Sequence, residues 1–151
     1  RQRQMCIRDR YGQSELVKKL CAEFQTTDTC AVHVRGGDIV GPGRAFFERA
    51  LARMEKERPG LRYLVFTNDR EAAKEALEGE HTERKMTYIS ELGAFSDIDE
   101  FFLMAACRHQ IISNSSYSTW AAYLNPNPEK VVIMPEYKGC EQIRLKEWIV
   151  L

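Results

Sequence analysis

What the chain lacks narrows it first. There is no surplus of one charge: 22 Lys and Arg stand against 22 Asp and Glu, a formal net charge of zero. A non-specific nucleic-acid binder carries a basic excess, so no nucleic-acid partner is expected, although one local basic site for a phosphorylated ligand stays open. No apolar run approaches the length of a membrane span, and no signal-peptide pattern is visible. Cysteine is sparse and odd in number: Cys6, Cys21, Cys30, Cys107 and Cys140 include no CxxC pair. That disfavours a zinc or redox motif and a disulfide framework, and a reducing compartment is expected. Cys30 and Cys107 lie in apolar runs and read as small buried side chains. Cys107 shows no local feature that would lower its pKa, so a thiol nucleophile is not expected.

Familiar site motifs are missing as well. There is no GxGxxG fingerprint and no Walker A loop, which disfavours a dehydrogenase and a P-loop phosphotransferase. Ser116 lies in no GxSxG elbow, which weighs against a hydrolase of that class. His81 and His109 have no partner at metal-ligand spacing and no carboxylate cluster is evident, so no metal site is expected.

What is present is one domain's worth of chain, 151 residues with 44% hydrophobic and 29% charged residues. The first ten residues stand apart. Met5 to Asp9 can be back-translated as ATG TGT ATA AGA GAC, which resembles a transposase adapter used in sequencing libraries. Residues 1–10 therefore read as a non-native arm, which makes the remainder a fragment of an environmental sequence whose own chain began further upstream.

Beyond the arm, helices and strands alternate. Ser14 caps a helix through Phe24 that places Leu16, Val17, Leu20 and Phe24 on one face. Cys30 to Val34 is a buried strand, and Ala45 to Glu57 a helix stopped by Pro59 and Gly60. Tyr63 to Phe66 is a strand, Asn68 and Asp69 a turn and cap, and Arg70 to Leu77 a helix. A short strand at Met86 to Ile89 precedes a helix from Asp97, its cap, to Cys107. Gln110 to Ser113 is a strand, Ser115 or Ser116 opens a helix to Leu124, and Val131 to Met134 is a last strand. The tail through Trp148 packs back as a helix or an apolar strand. This alternation predicts an α/β fold, a Rossmann-like parallel sheet with helices on both faces. Such sheets bind ligands at the carboxyl ends of their strands.

The loops that follow the strands then carry the functional question. Arg35-Gly36-Gly37-Asp38 joins a guanidinium fork suited to phosphate with glycines that let a ligand approach the backbone. The bland alternative is a glycine turn with Arg35 and Asp38 as a surface ion pair. Asn68 and Asp69 read first as a helix cap and second as a contact to ligand hydroxyls. Asn114 to Ser118, at a helix start, offers N–H groups and hydroxyls for an anion, or simple serine capping. His33 is either a satisfied core histidine or a hydrogen-bonding partner of a base. An arginine and a helix N-terminus on one sheet edge suit a diphosphate.

These residues resemble a known family. The stretch from Asp99 to Leu124, DEFFLMAACRHQIISNSSYSTWAAYL, resembles a signature block of the α1,2-fucosyltransferases. His33 to Asp38 resembles that family's His-x-Arg-Arg-Gly-Asp motif, and Phe66-Thr67-Asn68-Asp69 its Phe-Ser-Asn-Asp motif. The three blocks occur in order over about Cys30 to Pro135, and the ending at Trp148 and Ile149 resembles a natural family terminus. The resemblance implies a GT-B-type enzyme of two Rossmann-like halves, with residues 11–151 as the C-terminal, GDP-sugar-binding half and the N-terminal acceptor half missing. It implies transfer of fucose from GDP-fucose to O2 of a terminal galactose of a glycan, with inversion and without a metal or other cofactor.

By position, the resemblance implies that Arg35 holds the β-phosphate and is the catalytic group. His33 and Asp99 would contact the guanine. Ser115, Ser116 and Tyr117 would meet the diphosphate, and Gly37 and Asp38 would shape the loop. The fragment alone is expected to transfer no fucose. Peripheral membrane association through the missing part is expected: cytoplasmic or on the inner membrane in a bacterium, at the Golgi membrane in a eukaryote. The alternatives are an α1,6-type fucosyltransferase and a catalytically inactive GDP-binding or interaction domain. Three positions depart from the family pattern: Gly36 stands for a second Arg, Thr119 for an aromatic residue and Ala121 for Gly. Arg44 is a candidate to replace the missing cation.

Overall fold

The structure is a computed structural model that describes residues 13–37, 40–78 and 84–151. The arm expected over residues 1–10, Asp38 and His81 lie outside the described residues. Helix α1 (Glu15–Thr26) leads into β1 (Thr29–Val34), α2 (Arg44–Glu57), β2 (Arg62–Thr67) and α3 (Arg70–Leu77). There follow β3 (Met86–Tyr88), a 3-10 turn (Ile89–Glu91), α4 (Asp97–Ala106), β4 (His109–Ile111) and α5 (Ser116–Leu124). The chain ends with β5 (Val132–Met134), the single-turn α6 (Cys140–Ile143) and β6 (Ile149–Val150). The six strands form one sheet in the order β3-β2-β1-β4-β5-β6, and every pair is parallel. This is the Rossmann-like α/β arrangement expected from the alternation of elements.

Strand β1 lies at the centre, and all six of its residues are buried. A parallel strand covered on both faces favours small and β-branched residues, which every position of TCAVHV but His33 supplies. Alternate side chains serve opposite layers. Ala31 packs with Leu64 and Phe66 of β2 beneath α1 and α4, among Leu20, Phe24, Leu103 and Met104. Cys30, Val32 and Val34 face α2 instead, where all five apolar positions of the helical pattern, Phe46, Phe47, Ala50, Leu51 and Met54, are buried. A third cluster of Ile112, Ala122, Val132, Met134, Cys140 and Trp148 closes the β5 end. The tail resolves as both a helical turn and a strand, with β6 parallel to β5.

Two details of the expected elements are corrected. Leu16 is exposed, and Cys21 takes its place on the buried face of α1 beside Val17, Leu20 and Phe24. Leu16 lies roughly 90° around the helix from the centre of the stripe formed by Val17, Leu20, Cys21 and Phe24, so it falls outside the buried face. The cap of α4 is Ser96 rather than Asp97, because the Ser96 hydroxyl accepts from Asp99 N. Strand β4 buries polar residues, His109 and Gln110, and satisfies them. Gln110 Nε2 donates to the carbonyls of Met104 (3.2 Å) and Cys107 (3.1 Å), while its Oε1 accepts from Asn125 Nδ2 (2.8 Å). These bonds tie the lower ends of α4 and α5 to the sheet. Lys130 Nζ holds the end of α5 through the carbonyls of Ala122 (2.7 Å) and Asn125 (3.1 Å).

Phe47 is fully buried between α2 and the sheet. Phe47→Ala is expected to lower unfolding free energy by about 3–5 kcal/mol, read from the urea midpoint; a loss below about 1 kcal/mol would contradict this packing.

Candidate functional site

The strand order reverses between β1 and β4, and an open sheet binds ligands in the crevice at such a reversal. The β1–β4 ladder ends at Val32 and Ile111. Beyond it the two chains diverge and are joined by side chains. His33 Nδ1 and Ser113 Oγ, both buried, are 2.8 Å apart. Arg35 Nη1 donates to Ser115 Oγ at 3.3 Å. A cleft of about 380 Å³ opens here, lined among others by His33, Arg35, Asn68, Glu100, Ser115 and Tyr117. That volume falls in the range of small-molecule sites.

Ser115 occupies the N-cap position of α5 but makes no capping hydrogen bond. Its hydroxyl is turned to Arg35, and its carbonyl accepts from Thr119 Oγ1 at 2.9 Å. Among the described residues, the first-turn N–H groups of α5 thus have no intrahelical or side-chain acceptor. A guanidinium lies beside them, and the pair makes a corner suited to an anion. Tyr117 Oη donates to the Asp97 carbonyl at 2.6 Å, locking the starts of α4 and α5 together. Its ring lies 5.7 Å from the His33 ring and 5.5 Å from that of Phe101. Burial and then the Glu100 and Asp97 carboxylates push the Tyr117 hydroxyl above its ordinary range, so it keeps its proton.

The glycine loop is held by Asn68. Its Oδ1 accepts from Gly36 N (2.9 Å) and its Nδ2 donates to the Gly36 carbonyl (3.2 Å). Gly37 sits at φ 90°, a conformation that favours glycine. Gly36 is glycine for a different reason: a Cβ there would lie 2.4 Å from Asp69 Cβ. Asp69 caps α3 by accepting from Ala72 N at 3.1 Å. The position matching the family's second arginine has no room for a side chain in this arrangement.

Of the site residues expected from sequence, His33, Arg35, Asn68, Ser115 and Tyr117 come together on the cleft. Ser116 is exposed in the first turn of α5. Asp99 is turned away into a capping box, its Oδ2 accepting from Ser96 N at 3.3 Å. The carboxylates on the cleft are Asp97, expected as the helix cap, and Glu100. The Ser96-x-x-Asp99 spacing was the available signal, since it commits Asp99 to the helix cap. Arg44 pairs with Glu48 at 3.0 Å and does not line the main cleft; it borders an adjoining groove with Arg35, Pro42 and Ala76. Thr119 and Ala121 are buried, Ala121 against α4.

A parallel α/β sheet with a guanidinium and a helix start at its strand-order reversal is an arrangement suited to a phosphate-bearing ligand. The chain belongs to glycosyl transferase family 11, whose model matches residues 13–151. It is similar to the O-antigen biosynthesis glycosyltransferase WbnK of Escherichia coli, with 29% identity over 130 residues. That match covers 78% of this chain, which spans 40% of the relative's length. No solved structure matches.

Burial, then the Arg35 charge, lowers the His33 pKa from 6.5 to about 4. Burial, then Arg58 and Arg108, lowers that of His109 likewise, and its Nδ1 already accepts from Val131 N at 2.9 Å. Between pH 6.5 and about 4 the unfolded chain binds protons on these rings that the folded chain refuses. Stability is therefore complete above pH 6.5 and falls on acidification through that window, by about 1.4 kcal/mol per pH unit for each histidine. Urea unfolding at pH 7.5, 6 and 5 checks this, and a flat profile refutes it. Asn68→Ala, which frees Gly36 from both bonds, is expected to weaken anion binding by about tenfold while the urea midpoint changes little.

Proposed function

We propose that this domain binds GDP-fucose, and that the whole protein moves fucose to O2 of a terminal galactose with inversion, as one half of a GT-B-type enzyme. The observation that carries the reading is the Arg35–Ser115 contact, which sets a guanidinium against an uncapped helix start at the strand-order reversal. Family membership and the likeness to an O-antigen glycosyltransferase support a nucleotide-sugar donor and a saccharide acceptor. In this reading Arg35 and the N–H groups of α5 hold the diphosphate, and neither a metal nor another cofactor is needed to do so.

The reaction breaks the bond from the sugar's anomeric carbon to the β-phosphate oxygen. It forms a bond from that carbon to the acceptor O2 on the opposite face, and the O2 proton is lost. Negative charge grows on GDP as the bond breaks. A fixed guanidinium and helix N–H groups stabilise it more in the transition state than in the bound donor. His33 stays neutral through the physiological range, so it offers a hydrogen bond rather than a second charge.

Arg35→Ala is expected to weaken GDP-fucose binding by about 1.5–3 kcal/mol in calorimetry, the worth of a charge-assisted hydrogen bond. Unchanged affinity would sink the assignment. For the whole protein, incubation with GDP-fucose and lactose is expected to give an α1,2-linked product by NMR; a different linkage overturns the acceptor reading.

A further inference from the structure

Asn114 has a role that neither the cleft nor a helix cap explains. It precedes Ser115 on the loop from β4 to α5, yet it does not line the cleft. Its Nδ2 instead donates across the strand-order reversal to the Val40 carbonyl at 3.2 Å. Val40 belongs to the far arm of the loop that carries Arg35, and its side chain is 91% exposed. An apolar side chain standing in water packs against nothing, so the arm is held here through its main chain. The other end of the amide, Asn114 Oδ1, is buried and has no partner among the described residues. An asparagine with one buried end unsatisfied is a poor choice for loop stability alone.

The loop from β1 to α2 doubles back on its own start. A Cβ on Gly41 would lie 3.1 Å from the Arg35 carbonyl oxygen and 3.9 Å from Asn114 Oδ1. Gly41 therefore rests against the main chain of Arg35, and whatever fixes the far arm fixes the base of that side chain. The near arm is held from the opposite flank, where Asn68 bonds both polar groups of the Gly36 main chain. Arg35 thus stands between two asparagines, one just beyond β2 and one just beyond β4. Its guanidinium meets Ser115, the residue next to Asn114. One short loop receives the head of the arginine and also grips the chain from which it grows. A planar fork of donors delivers its full interaction only at a set angle, whereas a flexible ammonium tolerates displacement.

We infer that Asn114 is a positioning residue for Arg35, acting on the guanidinium through the main chain of Val40 and Gly41 and not by touching the ligand. The inference rests on the nucleotide-binding reading above and adds to it the group that aims its cation. Releasing the far arm leaves Arg35 charged and present but no longer aligned with the start of α5.

Calorimetry of GDP binding to the 151-residue chain tests it, with Asn114→Ala made both in the parent and in Arg35→Lys. Asn114→Ala is expected to lower GDP affinity about tenfold in the parent. In Arg35→Lys the same change is expected to cost about twofold or less, because lysine reaches phosphate without a fixed main chain. Asn114→Ser, too short to reach the Val40 carbonyl, takes its place if alanine prevents folding. Gly41→Ala presses the same arm off the Arg35 carbonyl with Asn114 intact, and the same contrast between backgrounds is expected of it. Equal losses in both backgrounds mark a general loosening of the domain, and no loss in the parent marks a bond without consequence. Either result overturns the inference, as does a Gly41→Ala chain that binds GDP like the parent. In each of these cases the nucleotide reading stands if Arg35→Ala still weakens GDP. If the parent does not bind GDP, both readings fall together.

Discussion

The carboxyl edge of the sheet depends on how the seam between β1 and β4 is closed. The main-chain ladder stops at Val32 and Ile111, where the two loops must separate to leave a crevice. Separation alone would expose backbone and let the loops drift. Two side-chain contacts prevent this, His33 to Ser113 inside the protein and Arg35 to Ser115 at the mouth of the cleft. The inner contact involves an uncharged ring, which suits a buried position, since an imidazolium there would lose hydration and face Arg35. The outer contact involves a permanent charge, which suits a position reached by water and ligand.

The floor under that seam is polar and fully committed. The side-chain amides of Gln110, Asn125 and Asn127 donate to the carbonyls of Met104, Cys107 and Arg108. A half-satisfied network of this kind would weaken the fold, whereas a complete one fixes the helices relative to β4. Helix α5 is therefore held at both ends: Lys130 binds its terminal carbonyls, and its first turn faces the cleft. Placing a cation at the carbonyl end offsets the negative pole of the helix. The opposite pole then acts on the anion corner with less opposition.

Much of this was legible in the amino-acid order. The spacing of Phe46, Phe47, Ala50, Leu51 and Met54 gives the buried face of α2 without further information, because 3.6-residue periodicity is a property of sequence. The Arg35 loop and the Ser115 helix start were legible as separate anion sites, since glycine, arginine and serine carry their chemistry locally. What could not be read is the choice among equivalent neighbours. Asp97, Asp99 and Glu100 are three acids within one helical turn. Which of them caps and which faces the cleft depends on Ser96 and on the position of α5. Asn68 is a similar case. Its two bonds to Gly36 join residues 32 apart and exist only once β1 and β2 lie side by side. Leu16 failed because a helix shows only part of its circumference to the core.

The close approach of Gly36 to Asp69 makes these two positions a single unit of variation. With Asp69 Cβ where a new Cβ at position 36 would fall, a larger residue in the loop requires a smaller one at the head of α3, or a shift of that helix. Such a change would also remove the cap on Ala72. A one-step exchange of Gly36 for arginine is sterically closed, while a paired exchange at 36 and 69 is open at the expense of the start of α3. The number of cations that can stand beside Ser115 is thus set jointly by the loop and by the helix that borders it.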